Sequence, residues 1–196
     1  MIVSLTGPSG IGKGYVRRKL LEQLPFLKEL VWITTRALRP DENQSTNRRS
    51  ISTEEFYRLQ EQGELILVQE LFGYLYGLEK GDLFTANEQH IYLTEFHIDN
   101  LVKVIDLGLQ IVAIALIPSD ISLLSERLKR YRESKDPEKI KKRLDSTETE
   151  IRMINRYRSL FLTVIKVSKD TDGNTVVSRA LQSLGPILTK AKGGKL

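Results

Sequence analysis

The chain has 196 residues, 40% of them hydrophobic, which suits one domain with inserted segments around a packed core. It contains no cysteine, which excludes disulfides, thiol catalysis and cysteine-based zinc sites. No run approaches the roughly 18 to 20 apolar residues of a membrane helix, and the first residues lack a secretory pattern. We therefore expect a cytoplasmic protein without a membrane partner. Its net charge is +5.

A glycine-rich loop follows the first predicted strand. The run from Ile2 to Leu5 is strand-like, and a helical pattern begins near Val16. Between them lie nine residues that we predict to bind a polyphosphate: Gly7, Pro8, Ser9, Gly10, Ile11, Gly12, Lys13, Gly14 and Tyr15. The glycines let backbone N–H groups approach phosphate oxygens, while the helix N-terminus and Lys13 supply positive potential.

One metal ligand is missing from this motif. Its last position is normally Ser or Thr, whose hydroxyl binds Mg²⁺, and here that position is Gly14, followed by Tyr15. We therefore expect Mg²⁺ to be held by phosphate oxygens and water, with no dedicated protein side chain.

Residues 34–96 interrupt the alternation of strand-like and helix-like patterns. They contain a polar stretch from Arg36 to Arg49, a capping-box helix start at Ser52 and a short apolar run from Leu65 to Val68. We interpret 34–96 as an inserted subdomain that binds a second substrate, the acceptor of a phosphoryl group.

The second half of the chain predicts further alternation. Residues 109–117 form an apolar run typical of a strand buried on both faces, and Asp136-Pro137 predicts the start of a helix that reaches Leu160. A strand is predicted over 162–167, a turn over 172–174 and a final helix interrupted near Pro186. This order predicts an α/β fold with a parallel sheet covered by helices on both faces.

The basic residues form two groups. One consists of Arg36, Arg39, Arg48 and Arg49, and the other runs from Arg127 to Arg143 with nine Lys or Arg. They are not interleaved with aromatic residues along one helix, which disfavours a nucleic-acid partner. A charge run is often a solvated surface, but two groups beside a phosphate loop favour an enzyme that holds adjacent anions, because guanidinium groups bond phosphate oxygens in pairs.

Several motifs in one order resemble the guanylate kinase family. They are the phosphate loop, the segment from Thr34 to Glu42, the helix start from Ser52 to Phe56, the Gly63-Glu64 pair and the segment from Gly73 to Gly77. The resemblance implies a three-layer P-loop NTPase core (1–33, 97–128 and 144–190) with a nucleoside monophosphate (NMP)-binding subdomain (34–96) and a lid (129–143).

The resemblance also implies an activity and roles. ATP would donate a phosphoryl group to a nucleoside monophosphate, with Mg²⁺ required. Arg36, Arg39 and Tyr76 would bind the acceptor phosphate, while Lys13, Arg36, Arg132 and Arg143 would stabilise the transferring group. Arg132 aligns with one of the family's two lid arginines only when one inserted residue is allowed.

The guanine pocket departs from the family pattern. Trp32, Arg48 and Leu67 occupy the positions of a serine, a tyrosine and a glutamate that read the base. Glu70 could replace the glutamate as an acceptor contact if a bulge shifts the strand register. Glu95 is the preferred match to a family carboxylate at the end of the next strand, and the resemblance implies that it also binds the acceptor. Trp32 at a strand end is interpreted as core.

Three functions follow in order of preference. The first is phosphorylation of GMP to GDP by ATP, and the second is a kinase of another small phosphorylated acceptor such as ribose bisphosphate. The third is a non-catalytic guanylate kinase-like interaction module, which the retained Lys13 and loop glycines disfavour. The oligomeric state is not predicted.

Overall fold

The computed structural model describes residues 1–38, 48–85, 90–131 and 137–193. These residues form nine strands and seven helices. The strands are β1 (Ile2–Thr6), β2 (Leu27–Glu29), β3 (Trp32–Thr34), β4 (Arg48–Ser50), β5 (Leu65–Leu71), β6 (Tyr74–Glu79), β7 (Ile91–Glu95), β8 (Ile111–Pro118) and β9 (Phe161–Val167). The helices are α1 (Lys13–Gln23), α2 (Thr53–Glu61), α3 (Lys80–Thr85), α4 (Ile98–Asp106), α5 (Ser122–Tyr131), α6 (Pro137–Arg156) and α7 (Gly173–Gly193).

Two sheets organise these elements. The five-stranded sheet has the order β2-β7-β1-β8-β9, and its pairs β2–β7 and β8–β9 are parallel. All residues of β1 are buried, including the polar Ser4 and Thr6, and so are six of the eight in β8, as expected for strands that are covered on both faces. The four-stranded sheet is mixed, with the order β4-β3-β6-β5. The predicted α/β class with a parallel sheet and helices is confirmed.

The chain divides into two compact units. One comprises Met1–Val3, Phe26–Thr94 and Val102–Ile111, and the other comprises Ser4–Pro25, Glu95–Leu101 and Val112–Leu196. The first contains the four-stranded sheet, whose apolar cluster is built around Ile33, Phe56 and Leu65. The second contains the glycine-rich loop and helices α1, α5, α6 and α7.

Most predicted element starts are confirmed. The Ser52 hydroxyl accepts a hydrogen bond from the backbone N–H of Glu55 at 3.1 Å, which caps α2 as the sequence pattern indicates. Helix α6 begins at Pro137, where proline is favoured because its missing N–H would have no helical partner. The helix ends at Arg156, not near Leu160, and a short 3-10 turn follows over Arg158–Leu160.

The expected interruption of the last helix is wrong. Helix α7 starts at Gly173, inside the predicted turn, and continues through Pro186 to Gly193. Proline removes one helical hydrogen bond, but burial of Leu184 and Leu188 on either side holds the helix against its neighbours. Packing of this apolar face therefore outweighs the local cost of the proline.

Candidate active site

The glycine-rich loop connects β1 to α1. Its three glycines, Gly7, Gly10 and Gly12, have φ of 146°, 86° and 109°. These are backbone conformations that residues with a Cβ rarely adopt, so the sequence places glycine where the loop needs it. Helix α1 begins immediately afterwards at Lys13, and the loop thus presents backbone N–H groups at a helix N-terminus.

Gly7 is also fixed by packing. A Cβ at this position would collide with the carbonyl oxygen of Leu116 in β8. We therefore expect Gly7→Ala to lower the free energy of unfolding by about 2 kcal/mol or more, because it adds a backbone clash to the strain of positive φ. Urea denaturation followed by circular dichroism measures this change.

The matched control is Gly108→Ala. Gly108 also has positive φ, 73°, but among the described residues nothing lies within 4 Å of the point where its Cβ would stand. Its substitution should lower the free energy of unfolding by about 1 kcal/mol, from backbone strain alone. Equal losses in the two variants would contradict the role of the Leu116 contact.

Three cationic side chains contact the loop within the second unit. The Lys13 ammonium donates to the carbonyl oxygens of Gly7 and Pro8, the latter at 3.2 Å. Arg143 of α6 donates to the Ser9 hydroxyl at 3.1 Å. Arg127 of α5 donates to the Ile11 carbonyl oxygen at 3.0 Å. The loop is therefore surrounded by positive charge suited to a polyphosphate.

The sequence interpretation missed Arg127 as a loop contact. Its position follows from its spacing on α5, because Leu124 of that helix is a neighbour of Gly10 and residues three positions apart lie on the same side of a helix. The sequence alone does not show that this side of α5 meets the loop.

The two unusual residues after Lys13 have different surroundings. The Tyr15 hydroxyl donates to the Asn174 side-chain oxygen at 2.8 Å, and Gly173 packs against the Tyr15 ring. Tyr15 thus joins the loop helix to the start of α7. Gly14 lies near Glu95, whose carboxylate also pairs with Arg17 of α1 at 3.3 Å.

Of the predicted acceptor residues that the structure describes, Arg36, Glu70 and Tyr76 lie in the first unit and Glu95 lies in the second. The Arg36 guanidinium donates to the Tyr76 hydroxyl at 3.3 Å. Two hydrogen bonds tie the backbone before Arg36 to β6: Thr35 N–H to the Leu75 carbonyl oxygen at 3.1 Å, and Leu75 N–H to the Thr35 hydroxyl at 3.0 Å. Arg36 and Tyr76 are therefore brought together on a fixed strand pair.

The three positions that depart from the guanine pocket are built into the fold. Trp32 is 3% exposed and its indole N–H donates to the Thr94 hydroxyl at 3.0 Å, which confirms its interpretation as core. Arg48 stands opposite Trp32 in the β3–β4 register. Leu67 is buried with φ of 56°. Two of these three residues thus contribute apolar volume where the family pattern has base-reading polar groups.

The bulge on which Glu70 depends is present. The register of β5 against β6 shifts between Ile66 and Gln69, after which Gln69 pairs with Tyr76 and Glu70 with Leu75. Directly paired residues of antiparallel strands share a face, so Gln69, not Glu70, stands on the face of Tyr76. Gln69 is a candidate acceptor contact that the sequence interpretation missed, because the bulge position was not known.

Two predicted site residues, Arg39 and Arg132, lie outside the residues that the structure describes. Residues 132–136 of the predicted lid (129–143) lie outside them too, and Arg143 is its described site residue. Within the described ranges, no helix is both long and apolar enough to cross a membrane.

Comparison with known proteins identifies the family. The family model for guanylate kinase matches residues 1–181. A guanylate kinase of Desulfitobacterium hafniense is 33% identical over 162 residues, covering 80% of this chain and 78% of that protein. A guanylate kinase of Mycoplasma capricolum is 32% identical over 162 residues, and here the match spans 80% of this chain but about half, 53%, of the relative's length.

A solved structure agrees with these sequence matches. The crystal structure of guanylate kinase from Anaplasma phagocytophilum has a TM-score of 0.70 at 25% identity, covering 95% of this chain and 85% of that chain. These relatives do not favour a ribose bisphosphate kinase or a non-catalytic module. With its glycine loop, Lys13 and Arg36–Tyr76 pair in place, the chain belongs to the guanylate kinase family, whose members are nucleoside monophosphate kinases.

Proposed function

We propose that this protein transfers the terminal phosphoryl group of ATP to GMP, giving ADP and GDP. The observation that carries the proposal is the convergence of Lys13, Arg127 and Arg143 on the glycine-rich loop of a guanylate kinase family member. In phosphoryl transfer the protein aligns two substrates and stabilises negative charge, and fixed cations serve both purposes.

Each cation has a defined part in this proposal. Lys13 exchanges its bonds to the loop carbonyls for the oxygens of the ATP phosphates. Arg143, attached through Ser9 to the loop, and Arg127 lower the cost of the charge that accumulates during transfer. Mg²⁺, when bound with ATP, would neutralise part of the negative charge of the phosphates.

The acceptor is held by the first unit. The Arg36 guanidinium group and the Tyr76 hydroxyl would bind the GMP phosphate, and the hydrogen bond between them pre-orients both groups. Arg39 and Arg132 keep the roles that the resemblance implies. The four-stranded sheet with α2 and α3, all within 34–96 apart from the first residues of β3, supports the predicted NMP-binding subdomain.

A substrate panel tests this proposal. ADP release, measured by a coupled assay with ATP and Mg²⁺, should be fastest with GMP or a related purine nucleotide and negligible with ribose bisphosphate. Absence of ADP release with all nucleoside monophosphates would contradict it. We place the activity in the cytoplasm, where its nucleotide substrates are made and used.

The altered base positions predict weak discrimination among purine nucleotides. The carboxylate that pairs with guanine N–H donors in the family pattern is replaced by the buried Leu67. We expect kcat/KM for GMP over IMP to differ by about tenfold or less, whereas sites that pair buried donors discriminate by about 10⁴ or more. Steady-state kinetics with both nucleotides measures this ratio.

A high ratio would contradict this expectation. It would mean that another side chain reads the guanine edge. If the GMP/IMP ratio then falls in the Gln69→Ala variant, that side chain is Gln69. Glu55→Ala is the matched control, because Glu55 is an exposed residue of α2 in the same unit.

A further inference from the structure

His97 occupies the turn between β7 and α4, in the second unit. Its carbonyl oxygen accepts the N–H of Leu101 at 3.0 Å, which is the first bond of α4. Its imidazole faces two carboxylates: Nδ1 is 3.3 Å from Oδ2 of Asp99, and Nε2 is 3.9 Å from Oε1 of Glu150 on α6. His97 therefore connects the start of α4 to α6.

The two carboxylates differ in their access to water. The side chain of Asp99 is 61% exposed and is solvated, whereas that of Glu150 is 8% exposed. Among the described residues, the ion-pair contact of Glu150 is with His97. A buried carboxylate that loses its partner is strongly unfavourable, so α6 would move to bring Glu150 to water. The position of this part of α6 therefore depends on His97.

The face of α6 that carries Glu150 also carries Arg143. Arg143, Thr147 and Glu150 are four and three residues apart, so they lie along one side of the helix. Thr147 is 1% exposed, and its hydroxyl donates to the Arg143 carbonyl oxygen at 2.8 Å. Arg143 and Glu150 are about 10 Å apart along the helix axis. Because backbone hydrogen bonds hold this part of the helix together, a displacement at Glu150 also moves Arg143.

Arg143 acts at the loop end of this face. Its guanidinium donates to the Ser9 hydroxyl at 3.1 Å, so α6 brings it to the glycine-rich loop. In the proposed reaction Arg143 stabilises negative charge, which requires a fixed position. A misplacement of about 1 Å can cost about 100-fold in rate. A small displacement of α6 at Glu150 is therefore enough to change the rate.

We propose that His97 is a positioning residue for phosphoryl transfer: its contact with Glu150 fixes α6 so that Arg143 stays at the glycine-rich loop. This inference rests on the proposed function, because it assumes that Arg143 acts on the phosphates of ATP. His97 itself touches no substrate. Its effect on the reaction passes through Arg143, and this gives the inference a specific test.

The test is a double-mutant cycle between His97→Ala and Arg143→Ala. Arg143→Ala should lower kcat by about 100-fold, the loss expected for one charge-stabilising donor, and His97→Ala should lower it by about tenfold. The double variant should match Arg143→Ala within about twofold, because His97 then has no group to position. Multiplicative losses would overturn the inference, since a purely structural residue weakens both enzymes by the same factor. Unchanged kcat in His97→Ala would also overturn it.

A milder variant guards against loss of the fold. His97→Ala leaves the Glu150 charge without its partner and can destabilise the protein, whereas Glu150→Gln removes the charge itself. Glu150→Gln should lower kcat by about fivefold in the unsubstituted background and by less than twofold when combined with Arg143→Ala. A fivefold loss in both backgrounds would contradict the inference. Glu148→Ala, at an exposed position of α6, is the matched control and should keep kcat within about twofold.

Binding of a non-hydrolysable analogue separates this inference from the proposed function. Isothermal titration with AMP-PNP and Mg²⁺ needs no turnover. The dissociation constant should rise in Arg143→Ala and by a smaller factor in His97→Ala, and the double variant should equal Arg143→Ala. If the factors behave in this way but no ADP is released with any acceptor, the proposed function alone fails. If ADP is released and the factors multiply, the role of His97 alone fails.

Discussion

Lys13→Ala should lower kcat by about 10²- to 10³-fold, the range found when one fixed charge-stabilising donor is removed from an active site. Lys13 is the cation on the loop itself, and its ammonium donates hydrogen bonds to the carbonyl oxygens of Gly7 and Pro8 in the same loop. The other two cations that contact the loop come from other helices and bind other loop residues, because Arg127 of α5 is bonded to Ile11 and Arg143 of α6 to Ser9. Stopped-flow or steady-state ADP release measures kcat.

The fold should survive this substitution. Lys13 is half-exposed and loses two hydrogen bonds to backbone oxygens, which corresponds to about 1 to 2 kcal/mol of stability. Lys19→Ala is the matched control: it lies on the same helix, and its partner Glu22 is an exposed residue at 2.6 Å. Lys19→Ala should keep kcat within about twofold, since surface pairs contribute little. A Lys13→Ala enzyme with unchanged kcat would remove Lys13 from the mechanism.

The sequence predicted well where one local rule decides the structure. The glycine-loop prediction needs glycine at positive φ, and Gly7, Gly10 and Gly12 all have it. The capping pattern at Ser52 and the proline at position 137 mark helix starts for reasons confined to one turn. Such features depend on neighbours within a few residues, which the sequence displays directly.

Prediction failed where distant residues decide. The continuation of α7 through Pro186 depends on what Leu184 and Leu188 pack against, and local propensity gives the opposite answer. The bulge in β5 puts Gln69 opposite Tyr76, and it is invisible in the alternation of apolar residues. The contact of Arg127 with Ile11 joins residues 116 apart in sequence.

Arg36→Ala should lower kcat/KM for the acceptor by about 100-fold and leave the dissociation constant of ATP within about twofold. A charge-assisted hydrogen bond contributes about 1.5 to 3 kcal/mol, which corresponds to this loss. The two effects separate because Arg36 is in the first unit and the ATP loop is in the second. Steady-state kinetics over a range of GMP concentrations, with titration of AMP-PNP, measures both.

The hydrogen bond between Arg36 and Tyr76 makes this prediction sharper. Tyr76→Phe alone should cost about tenfold in kcat/KM, because it removes one neutral donor and the group that orients Arg36. If both residues bind the same phosphate, the double variant should lose less than the product of the single losses, since each substitution already disturbs the other's contact. Multiplicative losses would contradict a shared phosphate site.

Arg58→Ala provides the control for charge alone. Arg58 is an exposed arginine of α2 in the same unit, and its contacts with Gln62 and Glu55 are at the surface. Its substitution removes one positive charge without touching the Arg36–Tyr76 pair, so kcat/KM for GMP should stay within about twofold. A comparable loss in Arg58→Ala would mean that the unit's overall positive field, not a specific phosphate fork, attracts the acceptor. A large loss of ATP affinity in Arg36→Ala would instead show that the acceptor assignment is wrong.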